Sequence, residues 1–459
     1  MSKLIVVSNR VARPGGGSGS EGGLSVGVNA AMKERGGVWF GWNGKIENKN
    51  TNELNSYESG NINYVTVGLS KSEYNDYYKG YANSVLWPAF HHRPELMDYH
   101  ESDLQGYLKV NIKFANLLRP LIDDDDVIWI HDYHLIPLGE ILRKMGVNNP
   151  IGFFLHTPFP PQDLLRAIPG YKKILEALME YDLVGFHTET DRRCFTGGVM
   201  HGLDGRELNM GRLSTGRAQT RSGVYPIGIE TDNVSEMSGK GKRSTEYTRL
   251  RDSLSDRKLI IGVDRLDYSK GLMHRFKAFE GLLKNYPEFL RKVVYLQISP
   301  TSRGDVEAYH ELAEQIDRLA GHIIGTYADF DWMPIRYINR GFRRATVFAM
   351  YQLARVGFVT PLRDGMNLVA KEYLAAQNPE DPGVLVLSKM AGAAAELDAA
   401  LIVNPYDSQN VSKVLKQALK MPLDERIDRW QHCMEILKRN NIYAWQENFM
   451  TDLLAEAQR

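Results

Sequence analysis

Two loops in the second half of the chain hold the residue types that can manage a departing anion. The apolar run Leu259–Val263 is followed by Asp264, Arg265, Leu266, Asp267, Tyr268, Ser269, Lys270 and Gly271. An Arg and a Lys five residues apart, on the turn from a strand into a helix, form a compact cationic site. Such a site suits a diphosphate leaving group, because negative charge develops there as the bond breaks. Either cation alone reads as a surface residue; the pair at one strand end favours chemistry. The run Val356–Thr360 leads into Pro361, Leu362, Arg363, Asp364, Gly365, Met366 and Asn367, then into a helix holding Lys371 and Glu372. Gly365 lets the chain turn, and the N–H groups of Met366 and Asn367 then point outward at a helix start, where anions bind. Glu372 can bridge ribose hydroxyls or sit on a solvated helix face, and taken alone the second reading is preferred.

The first half has its own polar strand ends. Leu4–Ser8 is followed by Asn9 and Arg10, then by a glycine-rich stretch from Pro14 to Gly23 that includes Gly22 and Gly23. Glycines let backbone N–H groups approach a phosphate, but the spacing matches neither a P-loop nor a dinucleotide fingerprint. A phosphate cradle and a surface loop remain equal readings. Val127–His131 leads to Asp132, Tyr133 and His134, and Ile151–Leu155 leads to His156. An Asp and a His at adjacent strand ends can hold sugar hydroxyls or move protons. Val293–Ile298 is followed by Ser299, Pro300, Thr301, Ser302 and Arg303. His131, His134, His156 and His187 lack metal-ligand spacing, and His131 and His187 are read as core histidines with satisfied nitrogens. Asp123–Asp126 precedes a strand and reads as a solvated turn. No metal and no cofactor is expected.

These residues work only if strands carry them. The runs named above, with Leu183–His187 and Val384–Leu387, are nearly continuous in apolar residues rather than alternating, as befits strands buried on both faces of a parallel sheet. Helical patterns at Gly22–Arg35, Leu135–Met145, Gly271–Asn285, Asp305–Ala320 and Ala370–Gln377 supply crossovers. At 459 residues the chain exceeds one core. The fold class is therefore α/β, with two doubly wound domains. Asp204–Gly223 is poor in large apolar residues, Val224–Ile229 is strand-like, and a linker is placed near Thr231–Lys240. Lys and Arg total 56, as do Asp and Glu, so the chain has no basic excess for nucleic acid or an anionic membrane. Its two cysteines, Cys194 and Cys433, suit a reduced, cytoplasmic protein. The apolar run Leu4–Val7 is too short for a signal peptide, and no stretch approaches the roughly 18 residues of a membrane span.

At this point a resemblance becomes specific. VVSNR (6–10), GG (22–23), VLWPAFH (85–91), WIHDYHL (129–135), GFFLHTPFP (152–160), YPIGIE (225–230), RLDYSKG (265–271), PTSRGD (300–305), TPLRDGMNLVAKEY (360–373) and GVLVLS (383–388) occur in the order found in the trehalose-6-phosphate synthase family. The sequence resembles these retaining glycosyltransferases of the GT-B fold across nearly its whole length. The resemblance implies two Rossmann-like domains facing across a cleft. Residues 1–231, joined by a C-terminal helix at about 443–459, would bind the acceptor, and residues 232–442 the nucleotide-sugar. It implies glucose transfer from a nucleotide-glucose, UDP-glucose above all, to glucose 6-phosphate. Carried over by position, Arg10, Tyr78 and Arg303 would hold the acceptor phosphate, and Trp87 and Asp132 the acceptor sugar. Gly22 and Gly23 would lie against the donor, and Arg265 and Lys270 would neutralise its diphosphate. His156 and Asp364 would bind donor glucose hydroxyls. Gly365, Met366 and Asn367 would give backbone contacts, and Phe342 and Leu368 would sit near the base. Val369, Ala370, Lys371 and Glu372 complete the donor side, with Glu372 on the ribose. The catalytic set would be Arg265, Lys270, His156 and Asp364. Small-molecule substrates, no nucleic acid, no membrane and a homo-oligomer are the partner expectations. Rival readings are an epimerase, which would consume donor without acceptor, a phosphorylase with pyridoxal on a lysine, and a non-catalytic sugar-phosphate sensor.

Overall fold

The computed structural model describes residues 3–11, 28, 32, 36–48, 52–301 and 307–457. The chain divides into two compact units: residues up to Ile227 with those from Ile442 onward, and Gly228–Asn441.

The first unit is built on β1 (Leu4–Arg10), β2 (Gly37–Glu47), β3 (Asn55–Ser59), β4 (Ile62–Ser70), β5 (Val127–His131), β6 (Ile151–Phe154), β7 (Leu183–Phe186), β8 (Arg206–Glu207), β9 (Arg212–Ser214) and β10 (Gln219–Val224). They form one sheet in the order β3-β4-β2-β1-β5-β6-β7-β10-β9-β8. From β4 to β10 every pairing is parallel. Antiparallel strands close the two edges. Every residue of β5, β6 and β7 is buried, which is why these runs do not alternate. The edge strand β3, Asn-Ser-Tyr-Glu-Ser, is polar and largely exposed, a composition that discourages pairing with other chains. The helix Ile442–Ala457 packs on this sheet. The rings of Trp129 and Phe449 stack at 4.8 Å. A Cβ at Gly152 or Gly185 would stand 2.7 Å from the Phe449 ring. Arg212 pairs with Glu456 at 2.6 Å and Arg221 with Asp452 at 2.8 Å, fixing the helix along β9 and β10.

The second unit carries β11 (Lys258–Val263), β12 (Val293–Ile298), β13 (Ile335–Ile338), β14 (Val356–Val359), β15 (Val384–Ser388) and β16 (Leu401–Val403). Their order is β13-β12-β11-β14-β15-β16, all parallel. Strand order reverses between β11 and β14, and in the first sheet between β1 and β5. Ligands of doubly wound sheets bind beside the carboxyl ends at such switch points. The loops carrying Lys270 and Asp364, and those carrying Arg10 and Asp132, therefore leave their sheets where binding is favoured.

Some sequence expectations differ from the structure. Thr231–Gly241 is a helix, not a linker. Its few buried residues, Val234, Ser238 and Gly241 among them, suffice because Gly241 lets it approach the helix Arg344–Leu353 closely. A Cβ there would lie 1.8 Å from the Ala345 carbonyl oxygen. The strand expected over Val224–Ile229 ends at Val224, ahead of Pro226. The stretch 204–223, poor in large apolar residues, holds β8, β9 and most of β10. Strands β2–β4 are not among the apolar runs named from sequence.

Candidate active site

The second unit brings the loops after β11 and β14 side by side. Leu362 N–H donates to the Ser269 carbonyl at 2.7 Å. Gly271 has φ +69° and fits because a Cβ there would come within 2.5 Å of the Thr360 carbonyl oxygen. Arg275, from the helix Leu272–Asn285, ties these loops together from inside. Its guanidinium donates to Asp264 Oδ2 at 2.7 Å, Gln297 Oε1 at 2.9 Å, Thr360 Oγ1 at 3.2 Å and the Lys270 carbonyl at 3.2 Å. One buried cation thus spans the ends of β11, β12 and β14. Although burial opposes its charge, Asp264 holds the Arg275 pKa above its ordinary value.

On this base stands a polar cluster. Lys270 Nζ lies 2.5 Å from Asp364 Oδ2, and Asn367 Nδ2 donates to the same oxygen at 2.9 Å. Asn367, at φ +74°, accepts the Ala370 N–H with its side chain, capping the helix Leu368–Ala375. Asp364 N–H donates to Met390 O at 3.1 Å, Gly392 N–H to Asp364 O at 3.2 Å and Ala393 N–H to Met366 O at 2.8 Å. A Cβ at Gly392 would lie 1.8 Å from the Gly365 carbonyl oxygen, so this close approach requires glycine. Lys270, Asp364, Gly365, Met366 and Asn367 are therefore held together on a rigid support.

Arg265 is exposed at the start of the β11 loop, and Leu266 N–H donates to Pro300 O at 3.1 Å. Glu372 accepts from Arg344 Nη2 at 3.0 Å; burial raises its pKa and Arg344 opposes that rise. Leu368 and Val369 are half-buried in the first helical turn, whereas Ala370 is fully buried. Lys371 is fully buried, with Nζ 2.6 Å from Glu396 Oε2, and burial lowers its pKa. Its ammonium is committed to an interior ion pair. Phe342 is half-buried beneath the Arg340 guanidinium, 5.1 Å from the ring centre.

In the first unit, Arg10 ends β1 and lies against β2, where a Cβ at Gly44 (φ +80°) would stand 2.6 Å from its Nε. The neighbouring Asn9 accepts from the Tyr77 hydroxyl at 2.8 Å. Tyr78 has its ring between Trp42 and His134, each 5.7 Å away, and lies nearly parallel to the imidazole. Tyr77 and Tyr78 belong to Tyr74–Leu86, a stretch wound wider than an α-helix, which closes with Trp87 N–H on Ala82 O. Such π-type winding is rare and recurs at functional sites. Trp87 is buried with its ring 5.7 Å from Tyr133. Asp132 leaves β5 at φ +75°, an uncommon conformation for a non-glycine residue, and its Oδ1 accepts the His156 N–H at 3.3 Å. Asp132 and His156 are thereby joined. Gly22, Gly23 and Arg303 lie outside the described residues.

His131 corrects one expectation. It is fully buried, but only its Nδ1 has a partner, the His156 Nε2 at 3.1 Å; Nε2 makes no hydrogen bond among the described residues. Burial drives the pKa of both imidazoles well below the ordinary value, so both stay neutral near pH 7. A neutral His156 can meet a hydroxyl without bringing a charge. The linkage has a definite sign. Below about pH 6.5 the unfolded chain takes up two protons that these folded imidazoles refuse, so stability must fall with acidity. Each group contributes at most about 1.4 kcal/mol per pH unit. Thermal melts from pH 7 to pH 5 should show His131→Phe losing less stability over that range than the parent chain. Parallel losses would deny His131 this part.

Arg275 was missed by the sequence reading, although a signal exists. It falls three residues after Leu272 and four before Phe279, on the buried stripe of its helix. Asp123–Asp126 is a turn tied to Lys3, with Asp126 buried and accepting Lys3 N–H at 3.1 Å. Among the described residues no group of three or more His, Cys, Asp and Glu side chains is placed to hold a metal ion. No helix among them is long and apolar enough to cross a membrane.

The family model of Glycosyltransferase family 20 matches residues 10–455. The chain belongs to this family. A trehalose-6-phosphate synthase from Enterobacter is 48% identical over 454 residues, covering 99% of this chain and 95% of the relative. A UDP-forming alpha,alpha-trehalose-phosphate synthase from Burkholderia xenovorans, solved in complex with glucose-6-phosphate, superposes with a TM-score of 0.95 at 46% identity. That match covers 99% of this chain and all of the other. The trehalose-6-phosphate enzyme of E. coli bound with UDP-2-fluoro glucose gives 0.94 at 46%, covering 98% and 99%. The family 20 chain described here is a hexosyltransferase of the GT-B fold, with two doubly wound α/β units.

Proposed function

We propose that this chain transfers glucose from UDP-glucose to the anomeric oxygen of glucose 6-phosphate, with retention, giving trehalose 6-phosphate and UDP. The observation that carries this reading is the Lys270–Asp364–Asn367 cluster at the switch point of the second sheet. It sets a cation beside a hydroxyl-binding carboxylate. The relatives solved with glucose-6-phosphate and with UDP-2-fluoro glucose support the substrate pair.

In this reading the second unit holds the donor. Arg265 and Lys270 lie along the diphosphate, Asp364 takes glucose hydroxyls, Gly365, Met366 and Asn367 offer backbone contacts, and Glu372 meets the ribose. Phe342 and Leu368 serve the base. The first unit holds the acceptor through Arg10, Tyr78, Trp87 and Asp132, with Arg303 assigned to its phosphate. The bond from the anomeric carbon to the diphosphate oxygen breaks as the bond to the acceptor oxygen forms on the same face. The departing oxygen accepts the acceptor hydroxyl's proton, so no protein carboxylate need act as nucleophile. Arg265 and Lys270 stabilise the charge gathering on the diphosphate, and His156 remains neutral to bind a donor hydroxyl.

Proton NMR of the product tests this. Two α-anomeric protons and one phosphate are expected from UDP-glucose and glucose 6-phosphate; a β-anomeric proton at the new linkage would refute retention. Arg10→Ala should raise KM for glucose 6-phosphate about 10-fold or more, the worth of a charge-assisted hydrogen bond. KM for UDP-glucose should change less than about twofold. Equal losses for both substrates would remove Arg10 from the acceptor side.

A further inference from the structure

His156 is held from two sides. Asp132 Oδ1 accepts its backbone N–H at 3.3 Å, and its ring Nε2 lies 3.1 Å from His131 Nδ1. His187 packs edge-on to it, with ring centres 5.3 Å apart, and the His187 Nδ1 accepts Ile227 N–H at 3.4 Å. His156 is half-buried. With Nε2 engaged by His131, only Nδ1 of its ring is left to meet a ligand. What Nδ1 offers there depends on which imidazole supplies the proton in the contact with His131.

Both imidazoles are neutral near pH 7, and a neutral imidazole has one N–H donor and one bare acceptor nitrogen. Two arrangements follow. In the first, His156 Nε2–H donates to His131 Nδ1; His131 then carries its proton on Nε2, and His156 presents a bare Nδ1. In the second, His131 Nδ1–H donates to His156 Nε2; His131 Nε2 is bare, and His156 presents Nδ1–H. The interior around His131 separates them. His131 is fully buried, and its Nε2 has no partner among the described residues. Its ring centre lies 4.5 Å from that of Trp129 and 6.2 Å from that of Trp445. The indole nitrogens of both are likewise buried without a hydrogen-bond partner among the described residues. An indole nitrogen can only donate. The first arrangement would therefore add a third orphaned N–H to two others. Buried N–H groups without partners are rarer than under-satisfied acceptors, and neighbouring donors suit a lone pair better than a further N–H.

We infer that His131 is a positioning residue for the transfer: its Nδ1–H donates to His156 Nε2 and so fixes His156 in the tautomer that offers Nδ1–H to a hydroxyl oxygen of the donor sugar. The presence of that sugar at His156 rests on the proposed function; the tautomer does not. A donor of this kind meets an oxygen lone pair and leaves the hydroxyl's own hydrogen for an acceptor elsewhere. His131 touches no substrate in this role and acts only through His156.

Long-range proton–nitrogen correlation NMR of the full chain, isotope-labelled in its histidine rings and held near neutral pH, reads the tautomers. The two signals are assigned by their loss in His131→Asn and in His156→Asn. Both rings should be protonated on Nδ1; a His156 protonated on Nε2 would overturn the inference. His131→Phe keeps a ring but removes the donor. In that variant His156 should lose its pure Nδ1–H pattern, and kcat/KM for UDP-glucose should fall roughly 5- to 10-fold, the worth of one hydrogen bond. KM for glucose 6-phosphate should change less than about twofold. His131→Asn, whose amide Nδ2 stands as many bonds from the backbone as the imidazole Nδ1, should restore the Nδ1–H pattern and most of the rate. Parent-like kcat/KM in His131→Phe would overturn the inference, as would a His131→Asn variant that is active with His156 protonated on Nε2. Should His131→Phe fail to fold, the tautomers of the parent chain and of His131→Asn still decide. Unchanged use of UDP-glucose by His156→Asn would instead count against the proposed function, and the tautomers of the parent chain would still report on the hydrogen bond.

Discussion

Arg265→Ala is expected to lower kcat by about 100-fold or more, with a smaller change in KM for UDP-glucose. Fixed charge at a leaving group is worth about 3 kcal/mol, realised as the bond breaks rather than in the bound ground state. Arg265 is exposed at its strand end, so the fold should survive its removal. Lys270 is a less clean choice for the same test. It lies 2.5 Å from Asp364 Oδ2, and Lys270→Ala would release that carboxylate as well as remove a cation. Steady-state rates for Arg265→Ala, with Tm measured alongside, decide the matter. Unchanged turnover would take Arg265 out of the chemistry, whereas a collapse in Tm would show that the residue is structural.

Arg275 should show the largest effect on stability. Its guanidinium is buried with Asp264, Gln297 and Thr360 around it. Arg275→Met would strand the Asp264 carboxylate in the interior, at a cost of about 3–5 kcal/mol. For a unit of this size that corresponds to a fall in Tm of about 10 °C. Adding Asp264→Asn should recover part of the loss, because the amide carries no charge to strand. The recovery separates a charge effect from a packing effect. If Arg275→Met melted with the parent chain, the ends of β11, β12 and β14 would have to be held by their backbone bonds alone.

Much of this architecture is legible in the residues because strands buried on both faces show as continuous apolar runs. β5 and β12 occupy the very residues such runs mark, and the polar residues behind β11 and β14 are the ones the fold brings together. β2 was less visible. Its register with β4 shifts between Trp42 and Ile46, and glycines interrupt its aromatic residues, so no single apolar run marks it. β3 is polar because it is an edge. Helix Thr231–Gly241 escaped notice because its surface is polar and its contact with Arg344–Leu353 relies on a glycine.

The site shows the same limit. Sequence can place Lys270 and Asp364 at strand ends, but their contact joins residues 94 apart and depends on the crossover between β11 and β14. Lys371 illustrates the converse. It follows the loop motif directly, yet the helix turns it inward to Glu396. The wide winding of Tyr74–Leu86 and the coupling of His131 to His156 arise from packing that no local pattern announces.

UDP release from UDP-glucose, followed with and without glucose 6-phosphate, tests the central claim that one unit presents a donor and the other an acceptor. Rapid, stoichiometric release is expected only when both substrates are present, falling about 100-fold in Arg265→Ala. Donor turnover at the same rate without glucose 6-phosphate would contradict it, as would a failure to release UDP when both are supplied.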